Sequence, residues 1–215
     1  MRYRASRALG IGSVAVLGVV LASARVPAQS PGAPAPGEHA AQTPAEVVAA
    51  LHEGVVAAAS GGARSVEERY AELAPVVANT HDLPYIAELA IRRHWQNLTQ
   101  SEKERFLAAF ERLSVMTYVT RFAAAGPDTF AIHGSEEAAR GRVLVRAAIA
   151  RADAADVSLD YLLHENGGRW RIVNILADGV SDLALKRAEY DRALSAGTIE
   201  DLIAELEVET LRLQE

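Results

Sequence analysis

The stretch Val157-Ser158-Leu159-Asp160-Tyr161-Leu162-Leu163-His164-Glu165-Asn166-Gly167-Gly168-Arg169-Trp170-Arg171-Ile172-Val173-Asn174-Ile175-Leu176 decides the fold. Val157, Leu159, Tyr161 and Leu163 alternate with Ser158, Asp160, Leu162 and His164. A period of two with apolar residues on one phase is the pattern of a half-buried strand. Trp170, Ile172, Asn174 and Leu176 form a second such set, and Asn166-Gly167-Gly168 between the two is tight-hairpin chemistry. Upstream, Val143, Val145, Ala147 and Ile149 alternate with Leu144, Arg146, Ala148 and Ala150 as a further strand, and Thr129 to His133 reads as a short one before it. The centre of the chain is therefore expected to be an antiparallel meander.

On both sides of the meander the period changes and helix starts announce themselves. Thr43-Pro44-Ala45-Glu46 offers a hydroxyl cap, Pro at the first helical position and Glu three residues after the cap. Ser65-Val66-Glu67-Glu68 and Thr99-Gln100-Ser101-Glu102 repeat the capping box, and Thr198-Ile199-Glu200-Asp201 uses Asp in place of Glu. These predict helices over 44–60, 65–79, 99–124 and 198–213; apolar spacing adds 83–95 and 180–196. The expected fold is α+β, with helices packed on one face of a small antiparallel sheet in the order α-α-α-α-β-β-β-β-α-α. The helix at 99–124 is amphipathic at first, then apolar almost all round from Leu113 to Phe122, so its second half must be buried on several sides.

The N-terminus carries Arg2, Arg4 and Arg7 without an acid, then an apolar run from Ala8 to Ala22, then Ser23-Ala24-Arg25-Val26-Pro27-Ala28-Gln29. Those are the three parts of a secretory signal peptide, expected to span 1–28 with cleavage near Ala28. The alternative is an uncleaved anchor, for which the run falls short of the roughly 20 residues that cross a bilayer. Residues 29–43, rich in Pro, Ala and Gly, read as a flexible leader, and 44–213 as one domain. The chain has no cysteine, which excludes a lipoprotein anchor, a disulfide framework and thiolate metal sites. Of 22 basic and 28 acidic residues, removal of Arg2, Arg4, Arg7 and Arg25 leaves 18 against 28, a net charge of −10. Such a chain is poorly suited to phosphate backbones or anionic bilayers, so nucleic acid is excluded as a partner.

Catalytic chemistry finds little footing. Asp82 reads as a helix N-cap, His94 sits in a cationic helix end, His52 has no ligand partner three or four residues away, and His133 and His164 end strands. Neither a metal site nor a catalytic residue is expected, and no cofactor. Asp178-Gly179-Val180-Ser181-Asp182 is the most pointed polar cluster. It reads as a strand end, a Gly turn and a helix cap, and alternatively as a carboxylate pair with a serine.

Three blocks carry a resemblance. The first is His81-Asp82-Leu83-Pro84-Tyr85-Ile86-Ala87, with His94-Trp95 and Leu98 to Phe106 after it, then Ala109-Phe110 and Thr117-Tyr118. The others are Gly168 to Ile172 with Ile175 to Ser181, and Gly197 to Leu206. In order and spacing, over about residues 45 to 207, they resemble MlaC-type periplasmic lipid-binding proteins, the toluene-tolerance auxiliary component of an ABC transport system. The chain departs from that pattern at Ile91-Arg92-Arg93, where a glycine is usual, and at His94, which replaces an aromatic residue. Tyr118 to Phe122 and Leu183 to Arg187 are similar to the hopanoid-associated HpnM-type branch.

The resemblance implies a soluble periplasmic carrier rather than an enzyme. It holds acyl chains in an apolar cavity between sheet and helices and passes lipid between an outer-membrane lipoprotein complex and an inner-membrane ABC transporter complex. The ligand is a phospholipid or a hopanoid-type lipid, and the expected state is a monomer. By the same analogy Val157, Leu159 and Tyr161, Ile172 and Leu176, and Val180 belong to the cavity wall, with Leu113, Met116 and Tyr118 from the long helix. A ligand-free interaction subunit and an enzyme using Asp178, Ser181 or Asp182 are the competing readings.

Overall fold

All four capping boxes close: Thr43 with Glu46, Ser65 with Glu68, Thr99 with Glu102 and Thr198 with Asp201 each exchange side-chain and backbone hydrogen bonds. Each satisfies N–H groups that the first helical turn leaves without partners. The computed structural model describes residues 42–60, 64–151 and 155–214. The signal peptide read at 1–28 and the leader up to residue 41 lie outside the described residues. The helices before the sheet are α1 (Pro44–Ala59), α2 (Val66–Thr80), α3 (Leu83–Ala90), α4 (Arg92–Trp95) and α5 (Gln100–Arg121). After it come α6 (Asp182–Ala196) and α7 (Ile199–Arg212).

The segment expected as one helix over 83–95 is two. Ile91, at φ −115° and ψ 24°, leaves the helical region and separates α3 from the single turn of α4. Its side chain is fully buried, so packing rather than local propensity sets the break.

The sheet is a meander whose spatial order is its chain order: β1 (Phe130–Ala138), β2 (Arg142–Ile149), β3 (Val157–Asn166), β4 (Arg169–Ala177) and β5 (Val180–Ser181), all antiparallel. The first strand extends well past the His133 at which the sequence pattern ends. Gly167 and Gly168, both at positive φ, join β3 to β4 in a two-residue turn that only such residues enter without strain. Asp178 and Gly179 repeat that geometry, so residues read as a helix start at 180 instead form a two-residue strand before Ser181 caps α6.

One irregularity resets the phase of β4. Leu163 pairs with Ile172 but Leu162 pairs with Asn174, so Val173 is an extra residue, a β-bulge. Directly paired residues share a sheet face. Tyr161 therefore shares its face with Ile175 and Leu159 with Ala177, while Leu176 lies opposite Asp160 on the other face. A strict alternation from Ile172 would have put Leu176 on the helical side. The bulge reverses it.

The helical layer covers one face. Phe106, Phe110, Val115, Met116 and Val119 of α5 pack with Val48 and Leu51 of α1, Val77 of α2 and Leu202 of α7 over Val145, Tyr161, Leu163 and Ile172. The opposite face carries Arg146 between Glu136 and Asp160, one on each neighbouring strand. At the corner where α2 passes into α3, the Asp82 N–H donates to the Ile172 carbonyl at 3.0 Å. The buried Asp82 carboxylate accepts from Tyr85 N, His164 Nε2 and Asn166 Nδ2 at 3.3, 2.8 and 2.8 Å.

Burial works to raise the Asp82 pKa, but the bonds from Asn166, His164 and the Tyr85 N–H outweigh it and hold it below the usual carboxylate range. This one side chain caps α3 and fastens it to the β3–β4 hairpin. Asp82→Ala is expected to cost about 3 kcal/mol, from one lost cap and charge-assisted bonds left unpaired. Urea titration checks it, and a midpoint equal to that of the parent chain would rule the strut out.

Candidate ligand cavity

Between the sheet and the helical layer, toward the β4 edge, the side chains do not close up. A cavity of about 250 Å³ remains. Its floor is Leu159 and Tyr161 of β3 with Ile172, Val173, Ile175 and Ala177 of β4. Its roof is Leu83 and Ile86 of α3 with Phe110 and Tyr118 of α5 and Phe122 just past its end, and Val180, Leu183 and Leu185 close its outer side. Val180 and Leu185 are 54% and 58% exposed, so the rim is apolar where it meets water.

Of the residues expected in the wall, the structure brings Tyr118, Leu159, Tyr161, Ile172 and Val180 together here. It places four elsewhere. Met116 is buried in the core. Leu113 faces a groove between α5, α6 and α7. Leu176 lies on the opposite sheet face because of the bulge. Val157 starts β3 on the cavity phase, too near the strand end to reach the void. The sequence reading missed Ile175 and Ala177, which the bulge turns inward, and Leu83 and Ile86. The last two belong to the segment whose apolar spacing predicts a helix, a signal that does not say what the helix faces.

Two buried tyrosine hydroxyls stand at the cavity wall, and each ends on a histidine. Tyr161 OH lies 2.8 Å from His52 Nε2, and the His52 ring stacks on Phe130 at 4.2 Å. Tyr118 OH lies 3.0 Å from His81 Nε2. The Thr80 hydroxyl donates to the Val76 carbonyl at 2.8 Å, so the 3.0 Å contact between Thr80 and His81 Nδ1 is donated by the ring. That assigns the Nδ1–H tautomer and makes Tyr118 the donor to His81 Nε2. Burial drives the Tyr118 and Tyr161 phenols well above their ordinary pKa, so both stay protonated. It pushes His52 and His81 down to about 4.

The polar cluster at 178–182 is spent on structure. Asp178 accepts from Ser158 N at 2.9 Å, and Ser181 caps Ala184 N while donating to Asn174 at 3.1 Å. Both Asp182 oxygens accept from Lys186 Nζ at 2.8 Å. Among the described residues no group of three or more His, Asp or Glu side chains is placed to hold a metal ion. Nor is any described helix long and apolar enough to cross a membrane.

The family model of the MlaC protein matches residues 46–208. No curated protein matches the sequence significantly. Among solved structures, the phospholipid-binding protein from Ralstonia solanacearum, in complex with a phospholipid, is similar with a TM-score of 0.68 and 18% identity. The match covers 80% of this chain and 96% of that one. At that identity the likeness is one of fold.

The two histidines set a pH dependence. Unfolded, each has an ordinary pKa near 6.5; folded, about 4. Between those values the unfolded chain binds more protons, so stability is complete above about pH 6.5 and is lost as pH falls toward 4. Each histidine contributes at most about 1.4 kcal/mol per pH unit in that window. The urea midpoint is expected to be lower at pH 5 than at pH 7, with a shallower dependence in His52→Gln and His81→Gln. Equal midpoints at the two pH values would mean that neither ring is buried as a neutral group.

Proposed function

We propose that this chain, which belongs to the MlaC protein family, is a lipid carrier that holds the acyl part of a phospholipid in the cavity between sheet and helices. The observation that carries this reading is the cavity itself: a void walled by Phe110, Leu159, Ile172 and Ile175 that reaches the surface through an apolar rim at Val180 and Leu185. An empty apolar wall of this kind forgoes dispersion contacts that a filled interior makes. A hydrocarbon chain restores those contacts and gains about 0.8 kcal/mol for each CH₂ removed from water. The phospholipid bound by the structurally similar Ralstonia solanacearum protein supports the same ligand class.

The carrier works in the periplasm, exported by a signal peptide removed near Ala28, with residues 44–213 as its lipid-binding domain. It acts as a monomer that passes lipid between an outer-membrane lipoprotein complex and an inner-membrane ABC transporter complex. Its chemistry is binding and release, without bond-making. Tyr118, Leu159, Tyr161, Ile172 and Val180 contribute to the wall. The Tyr118 and Tyr161 hydroxyls are held by histidines, so their rings rather than their polar ends are offered to the ligand.

Native mass spectrometry of protein purified from the periplasm, followed by solvent extraction, tests the reading. A discrete adduct with the mass of a two-chain phospholipid is expected. A triterpenoid adduct would instead place the chain in the hopanoid-associated branch, and apo protein after incubation with both lipid classes would overturn the carrier reading. Val180→Glu puts a carboxylate on the exposed rim, where the fold tolerates it, and is expected to lower lipid occupancy severalfold. Val157→Glu, away from the void, is expected to leave it unchanged. Equal occupancy in the two folded variants would remove Val180 from the mouth.

A further inference from the structure

The cavity does not end at its apolar rim. Ser114, Thr117 and Arg121 of α5 and Lys186 of α6 line both the cavity and a second, larger void, a groove of about 820 Å³ between α5, α6 and α7. Residues 114, 117 and 121 fall on one face of α5, so a single polar stripe forms the threshold between the two. On the far side the lining changes character, with Glu189, Asp201, Glu205, Glu209 and Arg212 joining it from α6 and α7. The groove keeps apolar residues too, among them Leu202, Leu206 and Val208, so the step across the threshold is from an apolar compartment to a mixed one that carries charge, the polarity order of an amphiphile.

The hydrogen-bonding capacity at the threshold can be counted. Ser114 donates its hydroxyl proton to the Phe110 carbonyl at 2.7 Å, and Thr117 donates to Leu113 at 2.8 Å. Neither has a proton left for a ligand. Lys186 directs two N–H bonds to Asp182 and retains one of its three donors. Arg121 is exposed and has no ion-pair or hydrogen-bond partner among the described residues, so its planar fork of donors is open to an anion. In the groove, Asp201 is committed to the Thr198 cap and Glu209 lies 3.4 Å from Arg212. Glu189 and Glu205 have no such partners among the described residues. Among the described residues, one guanidinium at the threshold and three carboxylates beyond it lack an ion-pair partner, and of the three only Asp201 is already engaged, in the Thr198 cap.

Resting on the lipid-carrier reading above, we infer that the groove receives a zwitterionic phospholipid head group. Its phosphate lies against Arg121 and its ammonium against Glu189 and Glu205. A phosphodiester on the threshold pairs with the free guanidinium in a bidentate arrangement. A cationic end then lies along Glu189 and Glu205, which have no partner among the described residues. A head group that is purely anionic makes the first contact but faces the two carboxylates with nothing to offset them. The carboxylate of a free fatty acid has the same shortcoming. The acyl chains run the other way, across the stripe and under Tyr118 and Phe122.

The full chain, delipidated and incubated with vesicles of equal phosphatidylethanolamine and phosphatidylglycerol, re-isolated and extracted, tests this. Phosphatidylethanolamine is expected to be enriched in the bound fraction by about two- to fivefold, the ratio that one or two exposed ion pairs supply. The double variant Glu189→Gln, Glu205→Gln is expected to bring that ratio to about one. Glu207→Gln, on α7 outside the groove, leaves it as in the parent chain. Arg121→Gln is expected to reduce retention of both lipids, and Arg121→Lys to restore part of it. Lipid bound at an unchanged ratio in the glutamate and arginine variants would show that the head group points elsewhere, while the carrier reading stood. A parent chain that takes up neither lipid would instead sink the carrier reading. Inorganic phosphate that raises the thermal midpoint through Arg121 in lipid-free protein, without any head-group preference, would reassign the threshold to free phosphate.

Discussion

A phenol can be buried only if its hydroxyl keeps a partner, because an unpaired one costs the full desolvation of the group. Two tyrosines, Tyr161 from the sheet and Tyr118 from α5, point into the space between the layers, and both partners are histidines from the helical side. His52 fixes the distance between α1 and β3, and His81 fixes α5 to the end of α2. Asp82, one residue further on, ties the same corner to His164 and Asn166 of the β3–β4 hairpin. These bonds are directional, so they set a spacing as well as an energy. Aliphatic side chains alone would let the layers settle until the void closed.

That arrangement explains where the void lies. On the α1 and α2 side of the sheet the layers are pinned and filled with Val48, Leu51, Val77 and Leu163. On the β4 side, α6 rests mainly on α3, β4 and α7 rather than on α5. The gap between α5 and α6 is left to short or charged side chains, Ser114, Thr117, Arg121 and Lys186, which cannot seal it. The bulge at Val173 then determines what faces the gap, by turning Ile175 and Ala177 inward and Leu176 out.

How much of this the sequence could reveal depends on the range of the interaction. Capping boxes operate over three residues, and every one of the four read from sequence forms. The two-residue turn at Gly167-Gly168 and the alternation of β3 are equally local. The bulge is not, because Ile172-Val173-Asn174-Ile175-Leu176 is apolar on both phases apart from Asn174, and either register satisfies the pattern. The break at Ile91 escapes for a similar reason: a buried isoleucine in a continuous apolar spacing gives no local stop signal. His52 and Tyr161 are 109 residues apart, and His81 and Tyr118 are 37 apart, so their partnership exists only in the folded chain. A wall residue and a core residue are chemically the same, which is why Met116 and Tyr161 could not be separated in advance.

On the proposed carrier reading, the size of the void bears on how the lipid is released. At about 250 Å³ it lies just below the roughly 300–1,000 Å³ of ordinary small-molecule pockets. A long acyl chain housed there must either part the layers or extend along the stripe into the groove, and both leave a portion of it imperfectly covered. Complete burial at about 0.8 kcal/mol per CH₂ would make spontaneous release from a fixed cavity very slow. An opening between α5 and α6 that is bridged by few side chains, and rimmed by Val180 and Leu185, offers a different balance. The chain gives up part of its burial in exchange for a continuous apolar path to the surface. On the proposed carrier reading, a receiving site of equal polarity needs only to cover that rim, rather than to pull the lipid through water.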